Sequence, residues 1–93
     1  MMHNPPHPGE TLQELCLKEL CLTITSAAKS LNMTRTALSE IINGKRGVSP
    51  KVAVKFAKTF GGSAEVWLKM QSNYDLWQCL KVYKADDVET LHG

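Results

Sequence analysis

The segment from residue 34 to residue 46 holds side chains that can recognise the edges of nucleic-acid bases. Arg35 carries a planar guanidinium fork that matches the O6 and N7 acceptors of guanine, and Thr36 offers a hydroxyl and a methyl group. Glu40 can accept a hydrogen bond from cytosine or orient Arg35, which lies five residues earlier. The residues predicted to contact bases are Arg35, Thr36, Ser39 and Glu40.

Further polar side chains around this segment suit a phosphate backbone. Cationic, amide and hydroxyl groups bind phosphate oxygens, which adds affinity and salt dependence but little sequence preference. The residues predicted to contact phosphates are Thr23, Thr25, Thr34, Asn43, Lys45 and Arg46.

The charge distribution favours a polyanionic partner more than the total charge of +2 indicates. Residues 29–58 contain seven basic side chains and one acidic side chain, a net charge of +6, whereas each flanking segment carries −2. A basic centre is typical of nucleic-acid binding, but lysine-rich helix faces are often only solvated. That second interpretation stays open for Lys51, Lys55 and Lys58.

Other kinds of site find little support in the 93 residues. His3 and His7 have a helical metal-ligand spacing, but the prolines between and beside them exclude the helix, so we expect no metal and no cofactor. All three histidines lie in the terminal segments, and no nucleophile with a base is indicated, so we expect no enzyme.

The cysteines and the apolar runs indicate a cytoplasmic protein without a membrane segment. Cys16, Cys21 and Cys79 are odd in number and lack a CxxC spacing, which favours reduced, partly buried thiols. The apolar runs are too short to cross a membrane, and the polar, proline-rich start does not resemble a signal peptide.

Two short helices joined by a tight turn are predicted to position the base-reading residues. Thr23 is the N-cap of a second helix, in which Ala27 and Ala28 allow a neighbouring helix to approach closely. Asn32 tolerates the left-handed turn, and Thr34 caps a third helix that buries its apolar positions and ends at Gly44. This is the helix-turn-helix arrangement, in which the later helix enters the major groove.

Three further helices complete an all-α domain. A first helix from about Gly9 is predicted to bury a stripe of Leu12, Leu15, Cys16 and Leu20. Ser49 with Pro50 opens a fourth helix, and Ser63 caps a fifth.

The aromatic residues of the fifth helix divide into two groups. Trp67 and Leu68 are expected to pack on the domain itself. Tyr74, Trp77 and Leu80 extend beyond a small core, so we expect them to form a dimer or partner surface. The predicted organisation is an N-terminal arm at 1–8, the helical domain at 9–82 and a flexible acidic tail at 83–93.

Roughly residues 7–80 resemble the HigA group of antitoxins within the phage-repressor-like (XRE) helix-turn-helix class. The segment "LSEIINGKR" at 38–46 is shared by much of that class, whereas "HPGE" at 7–10 and "EVWLKMQSNYDL" at 65–76 are more particular to HigA. The chain departs from the class at Asn32, where glycine is usual, and asparagine can adopt the same geometry.

The resemblance implies a lambda-repressor-like fold of five helices, with Arg35, Thr36 and Glu40 at base-contacting positions and Asn43 at a phosphate-contacting one. It further implies a homodimer that binds double-stranded operator DNA, represses its own operon and neutralises a HigB-type mRNA-cleaving toxin. A stand-alone transcriptional regulator without a toxin is the main alternative. A protein-interaction module and an RNA-binding domain are the other two.

Overall fold

The computed structural model describes residues 4–91, and its regular elements are all helices. The first helix comprises α1 (Pro8–Thr11) and a π-helical continuation (Leu12–Leu17). The other four are α2 (Ile24–Ser30), α3 (Arg35–Ile42), α4 (Pro50–Phe60) and α5 (Ala64–Val82). The predicted all-α architecture of five helices is confirmed. In this described range, no helix is both long enough and apolar enough to cross a membrane.

Hydroxyl side chains begin α2 and α3, as the sequence predicts. The amide of Ser26 donates to Thr23 Oγ1 at 3.1 Å, and the amide of Ala37 donates to Thr34 Oγ1 at 3.0 Å. Each bond satisfies a backbone donor that has no partner within its helix. Asn32 adopts the left-handed conformation with φ of 53°, which turns the chain sharply between the two helices.

Lys55 has a structural contact that the charge pattern does not reveal. Its Nζ donates to the carbonyl oxygen of Asn32 at 2.9 Å, so α4 fixes the turn between α2 and α3. Of the three lysines for which a solvated helix face was left open, Lys55 therefore makes a contact within the protein.

The core lies where all five helices converge. Its fully buried side chains include Leu12, Ala27, Leu38, Ile41, Ala53 and Phe56. Trp67 is 5% exposed and packs edge-on against Phe56 with 5.1 Å between ring centroids, and Leu68 contacts the same core. The predicted intramolecular packing of Trp67 and Leu68 is confirmed.

The first helix buries a different stripe from the predicted one. Leu12 and Leu17 are buried, whereas Leu15 and Leu20 are 67% and 58% exposed. The reason is the π-helical winding, in which the Lys18 amide donates to the Gln13 carbonyl at 3.1 Å. Hydrogen bonds to the fifth residue back place Leu12 and Leu17 on one face, so a prediction based on α-helical spacing fails.

The N-terminal boundary also differs from the prediction. Helix α1 begins at Pro8, and His7 and Pro8 are buried although both were expected in an extended arm. His7 acts as the N-cap, which makes Pro8 the first helical residue and suits its fixed φ. His3 lies outside the described residues. At the other end, α5 stops at Val82, and residues 83–91 are exposed and non-helical.

Candidate nucleic-acid interface

Helices α2 and α3 expose one face that carries most of the predicted contact residues. Thr25, Arg35 and Thr36 are exposed, and Ser39 and Glu40 are partly exposed. The opposite side of α3 is held in the core by Leu38, Ile41 and Ile42. The buried side therefore fixes which polar side chains face solvent, because helical periodicity leaves only the other side free.

Arg35 is held at the start of α3 by a side chain of α2. Its Nε donates to Thr25 Oγ1 at 3.2 Å across the turn between the helices. Thr25 was expected to contact phosphate, and the structure shows that its hydroxyl oxygen already accepts from Arg35. Within residues 4–91, no carboxylate forms an ion pair with Arg35, so of the two roles left open for Glu40 the structure does not show the contact that would orient Arg35.

Glu40 instead faces the segment that follows α3. Its Oε1 lies 2.7 Å from Arg46 Nη2, as an ion pair without well-aligned hydrogen-bond geometry. The amides of Lys45 and Arg46 donate to the Glu40 carbonyl oxygen at 2.8 and 3.2 Å, which folds this segment back over the helix end. Gly44 permits the reversal with φ of 74°. A base contact from Glu40 would have to share its carboxylate with Arg46.

The remaining candidates for phosphate contact lie at both ends of this face. Thr23 and Thr34 are exposed although their oxygens accept from backbone amides, and Asn43 Nδ2 donates to Ser39 Oγ at 3.3 Å. Lys45 is exposed, and the described part of the chain offers it no carboxylate within ion-pair distance. Its charge is therefore free to meet an anion.

Residues that were not predicted from the sequence support α3 on the side away from the exposed face. The Val48 amide donates to the buried Gln71 Oε1 at 2.9 Å, and Gln71 Nε2 donates to Asp75 at 2.8 Å. The first bond attaches the loop after α3 to α5, and the second, within α5, holds the Gln71 side chain in place. Gln71 lies inside the segment at 65–76 that carries the family resemblance, but a polar residue on a helix gave no reason to predict burial.

A second support joins the first helix to α3 and α5. A Cβ placed on Gly9 would lie 1.9 Å from the Ile41 carbonyl oxygen, so only glycine allows this approach. His7 Nδ1 accepts from the Gly9 amide at 2.9 Å. The His7 ring packs edge-on against the Tyr74 ring, with 4.9 Å between the ring centroids. We name this contact of His7, Gly9, Ile41 and Tyr74 the N-terminal seam. Burial lowers the pKa of His7, opposed by the charges of Asp75 and Glu10.

The distal half of α5 presents apolar groups of unequal exposure. Tyr74 and Trp77 are partly buried, with Lys81 Nζ 4.2 Å above the Trp77 ring, and Leu80 is 55% exposed. Leu76, which was not among the predicted surface residues, is 49% exposed one turn before Leu80. Tyr74 thus contributes to the N-terminal seam as well as to this face.

The cysteines differ in environment more than was expected. Cys16 is partly buried and burial raises the pKa of its thiol, whereas Cys21 and Cys79 are exposed. All three are free thiols. Among the described residues, no three His, Cys, Asp or Glu side chains cluster as metal ligands would.

The chain is similar in sequence and in structure to known helix-turn-helix proteins. Residues 12–67 match the helix-turn-helix family HTH_3. Virulence-associated protein A′ of Dichelobacter nodosus is 55% identical over 78 residues, which span 83% of this chain and 67% of that protein. An addiction-module antidote protein of a HigA family from Coxiella burnetii is 32% identical, with a TM-score of 0.88 over 97% of this chain and 100% of that one.

A solved complex provides a further likeness. The structure of Pseudomonas aeruginosa antitoxin HigA with the higBA promoter has a TM-score of 0.83 and 28% identity over 95% of this chain and 99% of that one. The two solved relatives are named an antidote protein and an antitoxin, and the matching family is non-enzymatic. The chain belongs to the phage-repressor-like helix-turn-helix family that includes the HigA antitoxins.

Proposed function

We propose that this protein binds double-stranded operator DNA and represses its own operon. The observation that carries the proposal is the exposed Arg35, held by Thr25 at 3.2 Å at the start of a helix whose opposite side is buried. Such a helix enters the major groove with its N-terminal residues towards the base edges. Arg35 and Thr36 then contact bases, with Ser39 and Glu40 further along α3.

The proposed complex is a homodimer on a palindromic operator. Leu76 and Leu80 lie one turn apart on the distal half of α5 and leave an apolar face on which a second copy can pack. Two-fold symmetry places two copies of α3 in successive major grooves, so half-sites are expected about 34–36 Å apart. Tyr74 and Trp77 border that face.

The proposal includes neutralisation of a HigB-type mRNA-cleaving toxin encoded by the same operon. Membership in a family that includes HigA antitoxins supports this part. The test is co-expression with the adjacent open reading frame, followed by affinity purification and mass determination. We expect a stable complex and loss of the partner's growth inhibition. Purification of this chain alone from such cells would identify a stand-alone regulator instead.

DNA binding is tested with the wild-type chain and a duplex that it enriches from a random-sequence library. We expect at least about 10³-fold preference over a scrambled duplex and a steep fall of affinity with salt. Sedimentation equilibrium of the complex should give two chains per duplex. Absence of salt-dependent binding would indicate a protein-interaction module, and equal affinity for single-stranded RNA would indicate an RNA-binding domain.

A further inference from the structure

The side-chain contact between α2 and α3 assigns a role to Thr25 that deepens the proposed function and rests on it. We propose that Thr25 is a positioning residue, which fixes the Arg35 guanidinium so that its two terminal nitrogens read a guanine end-on. The contact joins residues ten positions apart through the turn at Asn32.

The donor used in this contact determines which donors remain. A guanidinium has five N–H groups in a fixed planar fork, one on Nε and four on the terminal nitrogens. Because Nε donates to Thr25 Oγ1, the two terminal nitrogens stay free to donate together to guanine O6 and N7. A side-on approach through Nε would instead require the Thr25 contact to break.

Both residues lie where the backbone is tightly fixed. Thr25 is in the first turn of α2 behind the Thr23 cap, and Arg35 is the first residue of α3 behind the Thr34 cap. The turn between them is fixed by Lys55 through the Asn32 carbonyl at 2.9 Å. The hydroxyl of Thr25 therefore lies in a fixed place relative to α3, which lowers the conformational entropy that an exposed arginine loses on binding.

No other side chain on this face of the described chain competes with Thr25 for the Arg35 guanidinium. The acidic residue of α3, Glu40, is paired with Arg46 at 2.7 Å and does not compete for Arg35. Thr25 Oγ1 is the side-chain acceptor for Arg35 within the described residues.

The test uses Thr25→Val, which keeps the shape of threonine but removes the hydroxyl, and Thr25→Ser, which restores it. On the duplex enriched by the wild-type chain, Thr25→Val should lose about threefold to tenfold in affinity, and Thr25→Ser should recover most of it. Affinity for a scrambled duplex should remain within about twofold, since the contact acts through base reading.

A chemical probe separates positioning from a structural role. Replacement of the operator guanine facing Arg35 by 7-deazaguanine removes N7 and should weaken the wild-type chain far more than Thr25→Val. In an Arg35→Ala background, Thr25→Val should have no further effect. A loss that persists in that background, or an equal loss on the scrambled duplex, would show that Thr25 contacts phosphate instead. An unchanged Thr25→Val affinity would overturn this inference while leaving the proposed function intact, whereas a wild-type chain that enriches no duplex would overturn both.

Discussion

The N-terminal seam and the exposed face of α2 and α3 use similar polar side chains in two different roles. In the seam, His7 accepts a hydrogen bond from a backbone amide and is only 5% exposed, and Gly9 has no side chain to prevent close contact with α3. On the face, Thr25 and Arg35 pair with each other but remain exposed. We infer that the seam stabilises the position of α3, whereas the face retains hydrogen-bond donors for a partner. Changes in the two regions should therefore separate folding from binding.

Gly9→Ala in the seam should have the largest effect, on stability. The new Cβ would lie 1.9 Å from the Ile41 carbonyl oxygen, and this backbone atom cannot move without shifting α3. We expect a loss of at least about 3 kcal/mol in the free energy of unfolding, measured by urea denaturation.

Gly47→Ala is the matched control, since the three atoms nearest to its Cβ, at 3.1 to 3.4 Å, all belong to a side chain, that of Gln71, rather than to the backbone. It should cost clearly less than Gly9→Ala. Equal losses at the two glycines would show that the close approach in the seam is not the cause.

Arg35→Ala on the face should leave the free energy of unfolding nearly unchanged and weaken operator binding by about 1–3 kcal/mol. The side chain is exposed and makes its contact with Thr25 rather than with the core. Fluorescence anisotropy on the enriched and the scrambled duplex measures both affinities. A similar loss on the two duplexes would show that Arg35 binds phosphate, and the face would then carry affinity without sequence preference.

The face was predictable from the sequence and the seam was not, for physical reasons. Caps at Thr23 and Thr34, and the turn at Asn32, depend on local hydrogen bonds that the residue types reveal directly. The burial of His7, the close approach of Gly9 and the bond from Val48 to Gln71 depend on contacts between distant segments. The π-helical winding at Leu12–Leu17 likewise breaks the periodicity on which the predicted stripe relied.

A smaller effect, on the pH dependence of the free energy of unfolding, is expected from His7 in the N-terminal seam. Because burial lowers the pKa of His7 below its ordinary 6.5, the folded state favours the neutral ring, whose Nδ1 accepts from Gly9. The contribution of neutral His7 to the free energy of unfolding is complete above about pH 6.5. It is lost as the pH falls through the lower pKa of His7 in the folded state, since the unfolded chain then binds the proton more readily.

Urea denaturation between about pH 7.5 and pH 5.5 should therefore give a falling free energy of unfolding. His7→Asn keeps an N-cap acceptor without a titrating group, so its profile should be flatter over that range. Identical slopes for the two proteins would assign the pH dependence to carboxylates outside the seam.

Lys45→Ala should produce the smallest change and tests whether the face divides into base-reading and phosphate-binding parts. Lys45 is exposed beyond the end of α3, and its charge meets no carboxylate within the described chain. We expect affinity to fall nearly equally on the enriched and scrambled duplexes, and the salt slope to decrease by about one unit per chain. Lys58→Ala, on the exposed side of α4, is the control and should leave the slope unchanged. A change of slope for Lys58→Ala as large as that for Lys45→Ala would extend the phosphate contact onto α4, because only charges that displace counterions contribute to the slope.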